Sequence, residues 1–236
     1  MKLLIDVGNS RVKWALWDGT QLGPVTALAH DALSRLAQDW RGLALTAVYA
    51  ANVASAQVRQ QIEQAAPLPV QWQRAQQTAL GVRNHYRNVA EQGADRWLAV
   101  LGARRLLAGD VVIACAGTAL TVEALTAQGD YLGGLILPGY RLMLQALAQN
   151  TANLDRAAGM VSDFPQGTED ALATGAIDAL CGAIQRMQQR LAAHSGGTPQ
   201  LLLTGGDAAR LAAALPPEAR IVDNLVLYGL ASVADC

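Results

Sequence analysis

The chain has 236 residues, 52% of them hydrophobic and 16% charged, so it carries enough apolar material for a core and is not a disordered segment. A net charge of −1 without a basic cluster argues against nucleic acid as the main partner, because neutralising phosphates needs a positive face. The length fits one large domain or two of about 110 residues each.

The amino-terminal stretch enters a strand directly, without the basic region, apolar segment and cleavage site of a secretory signal. Leu3, Leu4 and Ile5 close on Asp6, the turn Val7, Gly8, Asn9, Ser10 follows, and Val12, Trp14 and Leu16 alternate beyond it. Two apolar runs joined by a Gly/Asn turn predict a hairpin. Gly8 and Asn9 tolerate positive φ, which would let successive amides converge on an anion. Ser10 adds a hydroxyl, Lys13 a positive charge, and Asp6 a carboxylate able to hold a cation directly or through water. That is a kit for a metal-bound polyphosphate, and an ordinary hairpin with Asp and Asn as turn formers is the competing reading.

The pattern then predicts a strand over 25–28, a helix over 32–40, a strand over 43–49, a helix over 54–65 and a short strand over 70–72, with 81–86 irregular. Gly93, Ala94, Asp95 and Arg96 precede the apolar periodicity of Trp97, Val100, Leu101 and Leu106, which puts Asp95 in the first turn of a helix. There it is either a favourable charge at a helix N-terminus or a base that orients a substrate hydroxyl. The helix N-terminus and Arg96 both favour its ionised form, and phosphoryl transfer asks for positioning more than for basicity.

The second half repeats the order. A strand over 111–115, the turn Ala116, Gly117, Thr118, strands over 120–125 and 131–137, and helices over 140–149 and 168–193 lead to a strand over 201–203. The run from Val111 to Val122, broken by Gly117 and Thr118, is too short to span a bilayer. The closing strand ends in Thr204, Gly205, Gly206 and Asp207, whose glycines permit close approach of a nucleotide, unless Asp207 is simply the N-cap of the next helix. A last helix begins near Asn224. Two halves, each with a three-strand meander and a glycine turn, predict a duplicated α/β unit with a cleft between its copies. Cys115, Cys181 and Cys236 are odd in number, and no metal-ligand pattern surrounds His30, His85 and His194, so reduced cytosolic thiols are expected.

Asp6-Val-Gly-Asn-Ser-Arg-Val-Lys13, Gly93-Ala-Asp-Arg96, Gly117-Thr-Ala-Leu-Thr121, Gly133-Gly-Leu-Ile-Leu-Pro-Gly139, Thr204-Gly-Gly-Asp207 and Asp223-Asn-Leu-Val-Leu-Tyr-Gly-Leu230 resemble, in order and spacing, the type III pantothenate kinases. Some members of that family are named Bvg accessory factor, and the chain is similar to them too. The resemblance implies an α/β fold of two ribonuclease H-like domains, of the acetate and sugar kinase/Hsp70/actin superfamily, here residues 1–110 and 111–236. It implies ATP- and Mg²⁺-dependent phosphorylation of pantothenate to 4′-phosphopantothenate, the first step of coenzyme A synthesis, in a cytoplasmic homodimer without membrane or nucleic-acid partners. ATP would be held by Asp6, Val7, Gly8, Asn9, Ser10, Arg11, Val12, Lys13, Gly117, Thr118, Gly205 and Gly206, with Asp6 at the metal. Pantothenate would be held by Tyr86, Gly93, Ala94, Asp95 and Arg96, with Asp95 as proton acceptor, and by Thr168, and with less support Thr151, from the partner subunit. Without the family pattern, Tyr86 reads as a half-buried aromatic beside a loop and Thr168 as a helix N-cap.

Two positions depart from the family. Cys115 stands where the family has an acid for a monovalent cation, K⁺ or NH₄⁺, and a neutral thiol is a weak ligand for a hard cation. Glu123 stands where Asp is common; one methylene longer, it is able to reach inward, and the solvated side of its strand is the favoured place. An ATP-binding regulatory accessory protein without turnover is the alternative function.

Overall fold

The computed structural model describes residues 1–236, which divide into two compact units. The first comprises Met1–Ala108, Gly129–Tyr131 and Asn224–Cys236. Its main sheet is built on β1 (Lys2–Val7), whose Leu3, Leu4, Ile5 and Val7 are all buried. A strand with apolar residues on both faces belongs in the middle of a sheet. The strand order is β3-β2-β1-β4-β5, with β2 (Arg11–Trp17) and β3 (Thr26–Ala29) antiparallel, and β4 (Ala47–Asn52) and β5 (Val70–Trp72) parallel. The register of β4 on β1, Lys2 with Ala47 through Val7 with Asn52, displaces this strand from the expected 43–49.

Between β3 and β4 the chain forms a 3₁₀ helix, His30–Arg35, and a single turn, α1 (Leu36–Asp39). Helix α2 (Ala56–Ala65) starts at Ser55, whose hydroxyl accepts from the Val58 amide at 3.4 Å, and buries Val58 and Ile62. Where irregular structure is expected, β6 (Thr78–Ala79) and β7 (Val82–Asn84) form a hairpin. Its turn residues, Leu80 (φ 53°) and Gly81 (φ 73°), are both left-handed, the geometry that matches strand twist. Helix α3 (Ala94–Leu106) is buried continuously from Arg96 to Ala103, as a helix covered on all sides must be.

The second unit comprises Gly109–Gln128 and Leu132–Asp223. Strands β8 (Val111–Ala116) and β9 (Ala119–Leu125) form its antiparallel hairpin, and β10 (Asp130–Pro138) follows. The first two residues of β10 belong to the first unit, where they pair with Arg83 and Asn84 of β7. Helices α4 (Tyr140–Asn150) and α5 (Thr168–Ser195) come next. Ile177, Leu180, Cys181, Ile184, Met187 and Leu191 of α5 join Val112, Ala114, Leu120 and Val122 in one core. Strand β11 (Gln200–Thr204) lies parallel to β8, and α6 (Ala208–Ala212) and β12 (Arg220–Ile221), an edge strand that periodicity does not predict, complete the unit.

The last helix, α7 (Leu225–Ala234), returns to the first unit, so the compact units do not coincide with one cut after residue 110. Glycines explain the return. A Cβ at Gly229 would stand 2.0 Å from the Leu98 carbonyl oxygen, and one at Gly102 2.5 Å from that of Leu225, so α3 and α7 meet backbone to backbone. Asp235 secures the end of α7, accepting from Trp17 Nε1 at 2.7 Å and from Arg105 Nη1 at 3.0 Å. No helix is long and apolar enough to cross a membrane.

Candidate active site

The first unit carries the carboxylates. Asp6 lies opposite Lys13 in the β1–β2 register. Its pKa is raised from 3.8 to about 7: burial of the carboxyl is the largest cause, the charge of Asp95 adds to it, and Lys13 opposes it. Two carboxylates within electrostatic reach of each other, 89 positions apart in the chain, suit a divalent cation, whose charge would oppose the burial and the repulsion that raise the Asp6 pKa. No group of three or more His, Cys, Asp or Glu side chains is placed to hold a metal ion. The set therefore fits Mg²⁺ better than a metal enclosed by protein ligands, since Mg²⁺ takes one or two carboxylates and completes its shell with phosphate oxygens and water.

The loop beyond Asp6 differs from the expected anion nest, because neither Gly8 nor Asn9 adopts a positive φ. Glycine at position 8 avoids a tight contact: a Cβ there would stand 3.3 Å from the Arg11 carbonyl oxygen, to which the Gly8 amide donates at 3.0 Å. Val7 and Val12 turn their side chains into the core and offer only backbone to a ligand, while Asn9, Ser10 and Arg11 are exposed at the apex.

Asp95 stands one residue inside α3, and its Oδ1 accepts the Arg96 amide at 2.8 Å. At Gly93, the N-cap, a Cβ would meet that Oδ1 at 2.6 Å, so a side chain there would displace the Asp95 carboxylate from this position. Ala94 is buried beside it. Arg96 is only 5% exposed. Its Nη1 donates to the Tyr86 hydroxyl at 2.7 Å and its Nη2 to that of Tyr131 at 3.4 Å, and its guanidinium lies 5.5 Å from the Tyr86 ring centre. Tyr86 and Tyr131 stack at 6.3 Å with planes 12° apart. The half-buried Tyr86 is thus one wall of a built cluster, and Tyr131, completely buried, is a supporting residue that sequence reasoning did not single out. Only the β7–β10 pairing, Asn84 with Tyr131, brings it there.

In the second unit the turn Ala116–Thr118 is enclosed by two other glycines. Gly205 (φ 100°) lies so close to the Ala116 carbonyl that a Cβ would be 2.2 Å from its oxygen. Gly139 donates its amide to the Thr118 carbonyl at 2.9 Å, and a Cβ there would be 2.1 Å from the Gly117 oxygen. Gly117, Thr118 and Gly206 are exposed around this junction. Gly139 closes the Gly133–Gly139 motif, to which sequence reasoning assigned no site role. Asp207 occupies the N-cap of α6 without a side-chain capping bond; its carboxylate lies 3.6 Å from Arg210, whose guanidinium stacks on Tyr140 at 4.3 Å.

Glu123 is completely buried, which corrects its expected solvated position. Gly134 on β10 makes the space, because a Cβ there would collide with Glu123 Oε2 at 1.9 Å. Half-buried Cys115 pairs with Thr121 on β9 and Thr204 on β11, and the Thr121 hydroxyl is buried without a hydrogen-bond partner. A soft thiol between hydroxyls does not suit K⁺ or NH₄⁺. Thr168 is the first residue of α5 and does not cap it: Gly167 is the N-cap and no side chain bonds there. Thr168 is exposed, as is Thr151, whose hydroxyl donates to the Leu147 carbonyl at 2.8 Å.

A profile of the type III pantothenate kinases matches residues 2–190. A type III pantothenate kinase of Chromobacterium violaceum is 60% identical over 236 residues, covering all of both chains. One of Acidovorax ebreus is 41% identical over 98% of this chain and 95% of its own. Among solved structures, a Campylobacter jejuni chain described as a Baf family transcriptional activator superposes with a TM-score of 0.66 at 22% identity, covering 96% of this chain and 94% of its own. A Sinorhizobium meliloti chain described as a 2-dehydro-3-deoxygalactonokinase does so with 0.58 at 14% identity, covering 100% and 98%. At such identities these two show the fold alone, an α/β fold with two mixed sheets. With a matching profile over most of its length and a 60% identical relative over all of it, the chain belongs to the type III pantothenate kinase family.

Proposed function

We propose that the protein transfers the γ-phosphoryl group of ATP to the 4′-hydroxyl of pantothenate, giving 4′-phosphopantothenate and ADP at the entry to coenzyme A synthesis. The observation that carries this reading is the carboxylate pair, Asp6 beside the hairpin loop and Asp95 in the first turn of α3, in a chain of this family. Asp95 orients the substrate hydroxyl and accepts its proton. A loose transition state needs the hydroxyl in line with the γ-phosphorus more than it needs a strong base. Gly93 leaves the space in which that carboxylate sits, and Tyr86, Ala94 and Arg96 line the pantothenate pocket with it.

Residues 6–13 hold the phosphates, the Asn9, Ser10 and Arg11 apex and Lys13 acting as donors, and Asp6 holds Mg²⁺. When bound, Mg²⁺ neutralises charge that develops on the phosphate oxygens. In the second unit Gly117, Thr118, Gly205 and Gly206 offer backbone and hydroxyl to the nucleotide. The exposed apolar residues Ile136, Met160 and Phe164 support a homodimer in which Thr168 reaches the partner's substrate, and a sedimenting species of 24.8 kDa would refute that arrangement. Three free cysteines support a cytoplasmic, reducing environment.

The experiment is pantothenate-dependent ADP release by wild type and Asp95→Asn, with and without K⁺ or NH₄⁺. Loss of the proton acceptor should lower kcat by about two to four orders of magnitude. With a thiol at Cys115, turnover should respond little to either salt. An Asp95→Asn variant as active as wild type overturns the role of Asp95, and a wild type that binds ATP without pantothenate-dependent turnover overturns the function.

A further inference from the structure

We infer that His30 is a positioning residue for the first phosphate loop, and that it acts by aiming the Asn9 amide. The inference rests on the reading that residues 6–13 hold the phosphates of ATP. His30 lies outside that run, yet its Nε2 stands 3.0 Å from the Gly8 carbonyl oxygen. A carbonyl only accepts, so Nε2 carries the proton and donates. The topology explains the meeting. Strand β3 pairs Ala29 with Arg11, so the chain reaches His30 at the level of the loop and there turns into the 3₁₀ helix. Leu33 of that helix is anchored in the core with Val7, Val12 and Leu36, which gives the imidazole a fixed base.

Glycine supplies no side chain to restrict its torsions, so hydrogen bonds must restrain the loop at this point. The Gly8 amide is engaged with the Arg11 carbonyl at 3.0 Å, and His30 engages the Gly8 carbonyl. The second bond has a directional consequence. The Gly8 carbonyl and the Asn9 N–H belong to one planar trans peptide and point in opposite directions. Holding the carbonyl on the His30 side therefore turns the Asn9 N–H away from His30. Without positive φ at Gly8 or Asn9, the loop cannot gather its amides as a nest, so the orientation of individual peptides decides which donors a phosphate meets. Freed of His30, the Gly8–Asn9 peptide would rotate and its donor would have to be reset each time nucleotide binds.

The test is steady-state kinetics and calorimetric ADP binding for His30→Ala, His30→Gln and His30→Asn, with thermal melts on the same preparations. A glutamine amide nitrogen reaches the place of Nε2, whereas that of asparagine reaches only the place of Nδ1. His30→Ala and His30→Asn should raise the KM for ATP and the Kd for ADP roughly fivefold, the effect of one neutral hydrogen bond, and leave the KM for pantothenate unchanged. His30→Gln should return both toward wild type. If His30→Ala does not fold, the Gln and Asn pair carries the comparison. Equal nucleotide affinity in the Gln and Asn variants, or a shift shared equally by both substrates, overturns the inference. Lys13→Ala separates it from the reading beneath: if that change also leaves ATP affinity intact, the loop does not hold phosphate, and if it weakens ATP while the His30 variants do not, His30 alone is misassigned.

Discussion

Replacing Asp6 by Asn should stabilise the ligand-free protein, and the gain should grow with pH. In the folded chain the Asp6 carboxyl titrates at about 7 against an ordinary value of 3.8. Between those values the folded state holds a proton that the unfolded chain has released, so stability falls as pH rises through the interval and the loss is complete above it. At about 1.4 kcal/mol per unit, the penalty is about 2 kcal/mol at about pH 5 and about 4 kcal/mol at about pH 8. Asn keeps the shape and has no charge to bury, so its advantage over wild type should widen by roughly 2 kcal/mol between those two conditions. Urea unfolding of both proteins at each pH, without nucleotide or Mg²⁺, measures the difference directly. Because the comparison is a difference of differences, titrations not coupled to Asp6 cancel. An advantage that changes by less than about 0.5 kcal/mol would show that the Asp6 carboxyl is not held out of water beside Asp95. The same variant should lose turnover, so that the destabilising charge is one the reaction needs.

The close approach of α3 and α7 makes a second prediction. Gly229→Ala sets a methyl group 2.0 Å from the Leu98 carbonyl oxygen, which is backbone and has no rotamer to change. It should cost about 3 kcal/mol in urea unfolding, and a loss below about 1 kcal/mol would deny the contact. Tyr131→Phe removes the hydroxyl that accepts from Arg96 and keeps the ring stacked on Tyr86. The KM for pantothenate should rise about two- to fivefold with the KM for ATP unchanged, and equal movement of both would mean a general loss of packing.

Much of the scaffold follows from short-range pattern. The continuous apolar run of β1 marks a central strand, the Gly/Asn turn marks the hairpin that pairs Asp6 with Lys13, and the periodicity after Gly93 places Asp95 in a first helical turn. Each of these depends on residues a few positions apart, and alternation or a 3.6-residue repeat records such neighbours directly. Features that depend on distant segments, such as the pairing of Asn84 with Tyr131, left no such record, and neither did one local turn. The β6–β7 hairpin has Leu80 at positive φ in place of the usual Asn or Asp, so its turn carries no standard signature.

By itself the sequence determined where the chemistry-bearing groups lie along the chain, which local elements carry them, and the family whose motif order they share. Tertiary structure alone decided their state. Asp6 is driven toward protonation by burial and by a carboxylate 89 positions away, Glu123 is buried because Gly134 on the next strand vacates its space, and α7 rejoins the first unit because two glycines admit a second helix. The physical reason is common to all three: desolvation, repulsion and steric room depend on distance in space, and a strand covered on both faces reads the same whichever neighbour covers it.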